Sequence, residues 1–240
     1  MKVLWFSCGA ASAVACKIGL AKYPEARLVY QKIWSAHEDN ERFIKDCEKW
    51  YGKKIEIIHS PFYKTHFDVI KATRYVNGPS GARCTTELKR KVRKYFEAEN
   101  PDIKLQIFGI GPKETHRAER MKKDGKNYEF PLIDANINKK MCFQRLQKAG
   151  IELPMMYKLG FNNNNCIGCV KGGKGYWNHV RKHFPEVFER MAKLEREIGR
   201  SCIRGRFLDE LSLTEGRHKE PDISCGLFCV HAELGVLGDG

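Results

Sequence analysis

The sequence predicts an α/β fold: a doubly wound, mostly parallel sheet with helices on both faces, followed by a loop-rich helical C-terminal region. Three observations predict it. Short apolar runs of buried-strand character stand at residues 3–6, 28–34, 55–58 and 105–110, and the segments between them have helical periodicity. Strands alternating with helices demand parallel pairing and helical crossovers. The first strand also runs straight into Ser7-Cys8-Gly9-Ala10-Ala11-Ser12, a tight small-residue turn of the kind that joins a strand to a helix.

Taken in order, the first crossover helix is expected over 11–23 and the second over 40–51, where Phe43, Cys47 and Trp50 share one face. A third is expected over 64–75. After the turn Asn77-Gly78-Pro79-Ser80-Gly81, a basic helix is expected over 85–99, closed by Asn100-Pro101. The character changes from Pro131 onward. Helices are expected at 139–149 and 186–199, separated by the asparagine run 162–165 and by Lys171-Gly172-Gly173-Lys174-Gly175. The division predicted is an α/β domain over 1–135 and a cysteine-bearing helical region over 136–240.

With 240 residues, 42% hydrophobic and 30% charged, the chain is long and apolar enough to bury a core and too apolar to be disordered. No run approaches the roughly 18 apolar residues that span a bilayer, and the N-terminal segment reads as a strand rather than a signal peptide. Ten cysteines without a secretory signal point to reduced thiols and a cytoplasmic location. A formal charge of +14 and a pI near 9.3 imply an anionic partner: nucleotide phosphates, nucleic acid, or both. Part of that excess is a solvated helix face at Lys89-Arg90-Lys91 and Arg93-Lys94.

A strand ending in Phe6, then small residues, then a helix brings backbone N–H groups and a helix N-terminus to one point, which is an anion site. Ser7 and Ser12 can add hydroxyl donors. The lysine of a Walker A loop is missing, so P-loop NTPase chemistry is not expected. The string Ser7-Cys8-Gly9-Ala10-Ala11-Ser12 resembles the S-G-G-x-D-S loop of the PP-loop superfamily, whose folds are adenine nucleotide alpha-hydrolase-like. Cys8 replaces a glycine, and Ala11 replaces the aspartate with which many ATP-cleaving members manage Mg2+; sulfonucleotide reductases commonly lack that aspartate too. Further similarity follows in chain order. His37-Glu38-Asp39-Asn40-Glu41 lies after the second strand. Gly109-Ile110-Gly111-Pro112-Lys113-Glu114-Thr115-His116-Arg117-Ala118 resembles G-x-R-x-x-E-S-x-x-R-A. Pro131-Leu132-Ile133-Asp134 and Leu153-Pro154-Met155-Met156-Tyr157-Lys158-Leu159-Gly160 resemble the steps around the next helix. The resemblance implies an adenine nucleotide bound by Ser7, Cys8, Gly9, Ala10, Ala11, Ser12, Trp34, Glu38, Gly109 and Lys89, with Arg117 on its anionic groups.

Cys166-Ile167-Gly168-Cys169 turns two thiolates toward one metal. One such pair supplies half a site. Cys84 lies 82 residues upstream (166 − 84), at the start of the basic helix, and Cys225 and Cys229 lie downstream. This distribution resembles the cluster-bearing adenylyl-sulfate reductases, which implies a [4Fe-4S] centre on Cys84, Cys166, Cys169 and Cys229, with Cys225 as the alternative fourth ligand; zinc is the alternative metal. Cys225-Gly226-Leu227 also resembles the E-C-G-L-H of sulfonucleotide reductases, which would make Cys225 the nucleophile, although Ser224 and Phe228 replace its flanking residues. Cys16, Cys47 and Cys142 read as core, Cys8 as core or site, and Cys202 as a reserve ligand. Tyr176 and Trp177, beside His179, Arg181, Lys182 and His183, read either as base-stacking faces or as core.

The resemblance implies a reductase of 3′-phosphoadenylyl sulfate (PAPS) or adenylyl sulfate (APS), with Arg117 and Lys89 holding the substrate and a thioredoxin-like protein as reductant. The alternative is an ATP-dependent iron–sulfur sulfurtransferase that modifies nucleic-acid bases. A third possibility is a non-catalytic nucleotide or redox sensor. No membrane association is expected.

Overall fold

The computed structural model describes residues 1–78 and 81–216. Five parallel strands form one sheet, β1 (Lys2–Phe6), β2 (Arg27–Gln31), β3 (Glu56–Ile58), β4 (Leu105–Phe108) and β5 (Tyr128–Glu129), in the order β3-β2-β1-β4-β5. Val3, Leu4, Trp5 and Phe6 are all buried, as a central strand covered on both faces must be. Trp5 carries its indole N–H into the interior and donates it to Gln106 Oε1 at 2.8 Å; Gln106 in turn donates to Glu97 at 2.9 Å. β1 pairs with β2 on one side and β4 on the other, so the strand order reverses between β1 and β4. In open sheets of this kind ligands bind outside the C-terminal ends of the strands at that reversal. Here the Ser7–Ser12 turn and Gly109 follow those two strands.

The helices are α1 (Ala10–Lys22), α2 (Asn40–Tyr51), α3 (His66–Thr73), α4 (Arg83–Thr85), α5 (Lys91–Glu99), α6 (Thr115–Lys122), α7 (Pro131–Asp134), α8 (Lys139–Lys148), α9 (Met155–Lys158), α10 (Lys174–His183) and α11 (Pro185–Ile198). The expected basic helix is a composite. Between α4 and α5 lies a π-helical turn, Thr86–Arg90, which widens the helix locally and brings Glu87 and Leu88 inward together. β2 stops at Gln31 rather than at 34, so residues 33–37 leave the sheet. α10 begins inside the glycine-rich stretch, with Gly173 as its N-cap. No helix among the described residues is long and apolar enough to cross a membrane.

The chain divides into two compact units, each assembled from separated stretches. The first comprises 1–32, 38–58 and 94–158 and holds the sheet. Its core includes Leu4, Phe6, Leu28, Phe43, Ile107 and Leu146, and the expected core thiols Cys16, Cys47 and Cys142 are within it. Burial pushes the Cys47 thiol up to about 12 and the Cys142 thiol up to about 11, so these sulfurs stay protonated and unreactive. Of the described residues, the second unit comprises 33–37, 59–78, 81–93 and 159–216. In it α10 packs on α11, and a small apolar cluster of Ile33, Val69 and Leu88 is bordered by Tyr63, Cys84 and Cys166.

Candidate functional site

In the first unit, the site is the turn between β1 and α1. Cys8 adopts a left-handed φ of 57°, the conformation glycine takes freely and other residues at a cost of about 1 kcal/mol. Its side chain points into the core beside Tyr30, and burial raises its pKa well above the usual thiol range. Cys8 therefore contributes backbone to the turn and not a reactive sulfur. Gly9 caps α1 without a side-chain hydrogen bond, and no acid stands in the first helical turn. The positive end of a 13-residue helix is thus left for an anion.

Ser12 has a different job from the donor role expected of it. Its buried hydroxyl accepts from the Ser7 N–H at 3.1 Å and the Ser7 hydroxyl at 3.0 Å and donates to the Gly9 carbonyl at 2.9 Å. It ties the turn into a ring and fixes where the backbone amides point. Gly109 fits against this turn so closely that a Cβ there would stand 2.5 Å from the Ser12 Cα and 2.7 Å from its nitrogen. Only glycine lets the end of β4 pass the first turn of α1.

The segment at 153–157 reaches the same place. The Tyr157 hydroxyl accepts from the Ala10 N–H at 3.4 Å. Asp39 secures this segment: its carboxylate takes a two-pronged contact from Arg42 at 2.7 and 2.9 Å and the Met155 N–H at 2.8 Å. Arg42 also donates to the carbonyls of Glu152 and Leu153. Glu38, one residue before this brace, is exposed. Arg117 is buried on α6, where one guanidinium nitrogen pairs with Glu114 and Nε has no hydrogen-bond partner among the described residues.

In the second unit, Trp34 follows β2 with an indole 41% exposed, edge-on to His59 at 5.2 Å. Lys89 lies in the π-helical turn, half-buried. Cys84, at the start of the same composite helix, borders the Ile33–Val69–Leu88 cluster together with Cys166. The Cys166–Cys169 turn is built tightly. Gly168 has φ +76°, and a Cβ on it would stand 2.8 Å from Val187 Cγ1 and 3.3 Å from the Trp177 ring. Tyr176 clamps the turn from inside: its hydroxyl accepts the Cys169 N–H at 2.8 Å and donates to the Cys166 carbonyl at 3.2 Å. Burial, with the Cys169 sulfur nearby, raises the Tyr176 pKa well above its usual value, so the phenol keeps the proton that the clamp uses. Ser35 O accepts the Ile167 N–H at 2.8 Å and holds the turn from the other side.

Trp177 is fully buried and Tyr176 nearly so, so of the two readings for this pair the core one holds and base stacking fails. Cys202 is half-buried beside Glu195; desolvation first and the Glu195 charge second raise its pKa, and it lies within electrostatic reach of Cys84. Among the described residues no three His, Cys, Asp or Glu side chains gather closely enough to hold a metal. The donor chemistry nevertheless suits a soft centre: Cys84 and Cys166 share one apolar border, and Cys169 completes a rigid C-x-x-C turn. Cys225 and Cys229, expected as nucleophile and fourth ligand, lie outside the described residues.

No protein-family model and no curated protein matches the chain. Among solved structures it is similar to the U34-tRNA thiolase NcsA from Methanococcus maripaludis with its [4Fe-4S] cluster, at 14% identity and a TM-score of 0.45, over 82% of this chain and 71% of that one.

Sequence reasoning missed Tyr176 as a clamp, Ser35 as a brace and the Asp39–Arg42 pair. Of these only the last had a local signal, an acid and an arginine three apart at a helix start. The roles of Tyr176 and Ser35 depend on which chain segments the fold brings together.

Proposed function

We propose that this chain is an ATP-dependent sulfur-transferring enzyme that modifies a nucleic-acid base. The observation that carries the reading is the convergence of three separated segments, the Ser7–Ser12 turn, Gly109 and Tyr157, on the N-terminus of α1 at the reversal of the strand order. The backbone amides there hold the phosphates of the nucleotide, and Ser12 keeps the turn in the shape that presents them. Ala11 leaves the turn without a carboxylate, so Mg2+ would be carried by the triphosphate itself. A base oxygen then attacks the α-phosphorus, an O–P bond forms, and pyrophosphate leaves. Sulfide displaces AMP from the activated carbon. Cys84, Cys166 and Cys169 would hold a [4Fe-4S] cluster, or zinc, which when bound supplies a site for sulfide. The charge of +14 supports a polyanionic substrate.

A second reading is a PAPS or APS reductase. Ala11 and the Cys225-Gly226-Leu227 string favour it; there Cys225 would attack the sulfonyl and a thioredoxin-like protein would release sulfite. A sensor that binds nucleotide without turnover is the third.

The test is anaerobic purification with iron and zinc analysis, followed by assays with ATP, sulfide and RNA, and separately with PAPS and APS. The proposal expects pyrophosphate released in step with thiolated base. Sulfite from PAPS or APS without pyrophosphate would replace it by the reductase, and binding without either product by the sensor.

A further inference from the structure

We infer that the outer face of α1 and α8, in the first unit, docks a single-stranded nucleic-acid segment, with phosphates on Arg145 and Lys148 and one base in the cavity beside Trp50. The inference rests on the nucleic-acid reading proposed above and names the surface that would serve it. α1 and α8 pack together. Between them they carry Lys17, Lys22, Lys139, Lys140, Arg145 and Lys148 and no Asp or Glu.

Several cations elsewhere on the surface are neutralised, among them Lys54 by Glu48, Lys126 by Glu97 and Arg196 by Asp209 and Glu210, and on this face Lys22 pairs with Glu129. Arg145 and Lys148 are exposed, one helical turn apart, and among the described residues neither enters an ion pair. Both line a cavity of about 290 Å³ with Val14, Ile18, Lys17 and Trp50, just under the roughly 300–1,000 Å³ of small-ligand pockets. Lys17 donates to the Trp50 carbonyl at 2.5 Å and lies 5.4 Å from the indole centroid, so its charge is held at the rim.

An apolar floor, an indole wall and uncompensated cations select a flat apolar body joined to anions. A nucleotide unit in a single strand has that chemistry, with its base unstacked and its phosphates free to reach both cations. A duplex offers the phosphates but keeps its bases paired.

The test uses the full chain and anisotropy of a short labelled single-stranded RNA, across roughly 50 to 200 mM salt. It compares wild type, the double variant Arg145→Gln/Lys148→Gln, and the control Lys54→Gln/Lys126→Gln, each confirmed folded by thermal melting. Each lost phosphate contact on a single strand lowers the slope of log affinity against log salt by about 0.7, so the double variant should lose about 1.4 and the control much less. Equal slopes and affinities in wild type and double variant would overturn this surface while leaving the nucleic-acid reading standing. Wild type that binds no RNA would remove both. A duplex bound as tightly as the single strand would overturn the placement of a base in the cavity.

Discussion

The two candidate sites, one in each unit, are built by opposite means. The nucleotide turn is made almost wholly of backbone: a left-handed Cys8 with its side chain turned inward, a serine ring that closes on itself, and a glycine at 109 through which a strand passes within van der Waals limits of a helix. The cysteine turn is made by side chains from elsewhere: a tyrosine ten residues on (176 − 166) that grips both of its ends, and a serine carbonyl from the segment after β2. Backbone sites tolerate changes of side chain and fail when an atom is added. Clamped sites fail when a hydroxyl is removed.

Gly109→Ala should break the nucleotide turn most severely, since the three nearest atoms to its Cβ are all backbone of Ala11 and Ser12; a loss of about 3 kcal/mol by denaturant unfolding is expected. Gly111→Ala, whose Cβ would meet nothing nearer than the Ile137 carbonyl at 4.0 Å, should stay within roughly 0.5 kcal/mol. Equal effects at the two positions would show that close approach is not what fixes glycine at 109.

Gly168→Ala should cost about 2 kcal/mol from its left-handed backbone and the contact with Val187. Metal content after anaerobic reconstitution should fall while the dissociation constant for ATP stays within twofold. A parallel loss of ATP binding would contradict the separation of the two sites.

Tyr176→Phe leaves the Cys169 N–H buried without its acceptor and should cost roughly 1–3 kcal/mol, with a faster loss of metal to a chelator. If chelation runs at the wild-type rate, Tyr176 is packing rather than a clamp.

The smallest effect concerns Glu195, fully buried on α11, whose carboxylate accepts the N–H groups of Cys202 and Leu208. Burial outweighs these bonds and raises its pKa. A raised pKa means its contribution is fullest below the unfolded value near 4.5 and declines as pH rises through the folded one. Glu195→Gln should therefore flatten the fall in melting temperature from acid to neutral pH; an unchanged profile would contradict the raised pKa.

Much of the first site was legible in the sequence. A strand end, small residues and a helix start are adjacent in the chain, and the resemblance named Gly109 beside them, though not Tyr157. That the Ser12 hydroxyl engages Ser7 and Gly9 could not be read from the sequence, because these partners meet only once the turn closes. The C-x-x-C pair was legible from spacing, and the core placement of Cys16, Cys47 and Cys142 from helical periodicity. The clamp was not, since Tyr176 stands where the glycine-rich stretch hides the start of α10. Nor was the π-helical turn at 86–90, which has no proline or glycine to mark it. The two-residue β5 is too short for any periodicity to show.

The most direct measurement for the central claim is photolabelling with an ATP analogue that bears its reactive group on the terminal phosphate, followed by tryptic mapping. The account predicts label on the peptide from Val3 to Lys17, competed away by ATP. Label confined to other peptides, or label on Val3–Lys17 that excess ATP does not displace, would contradict it.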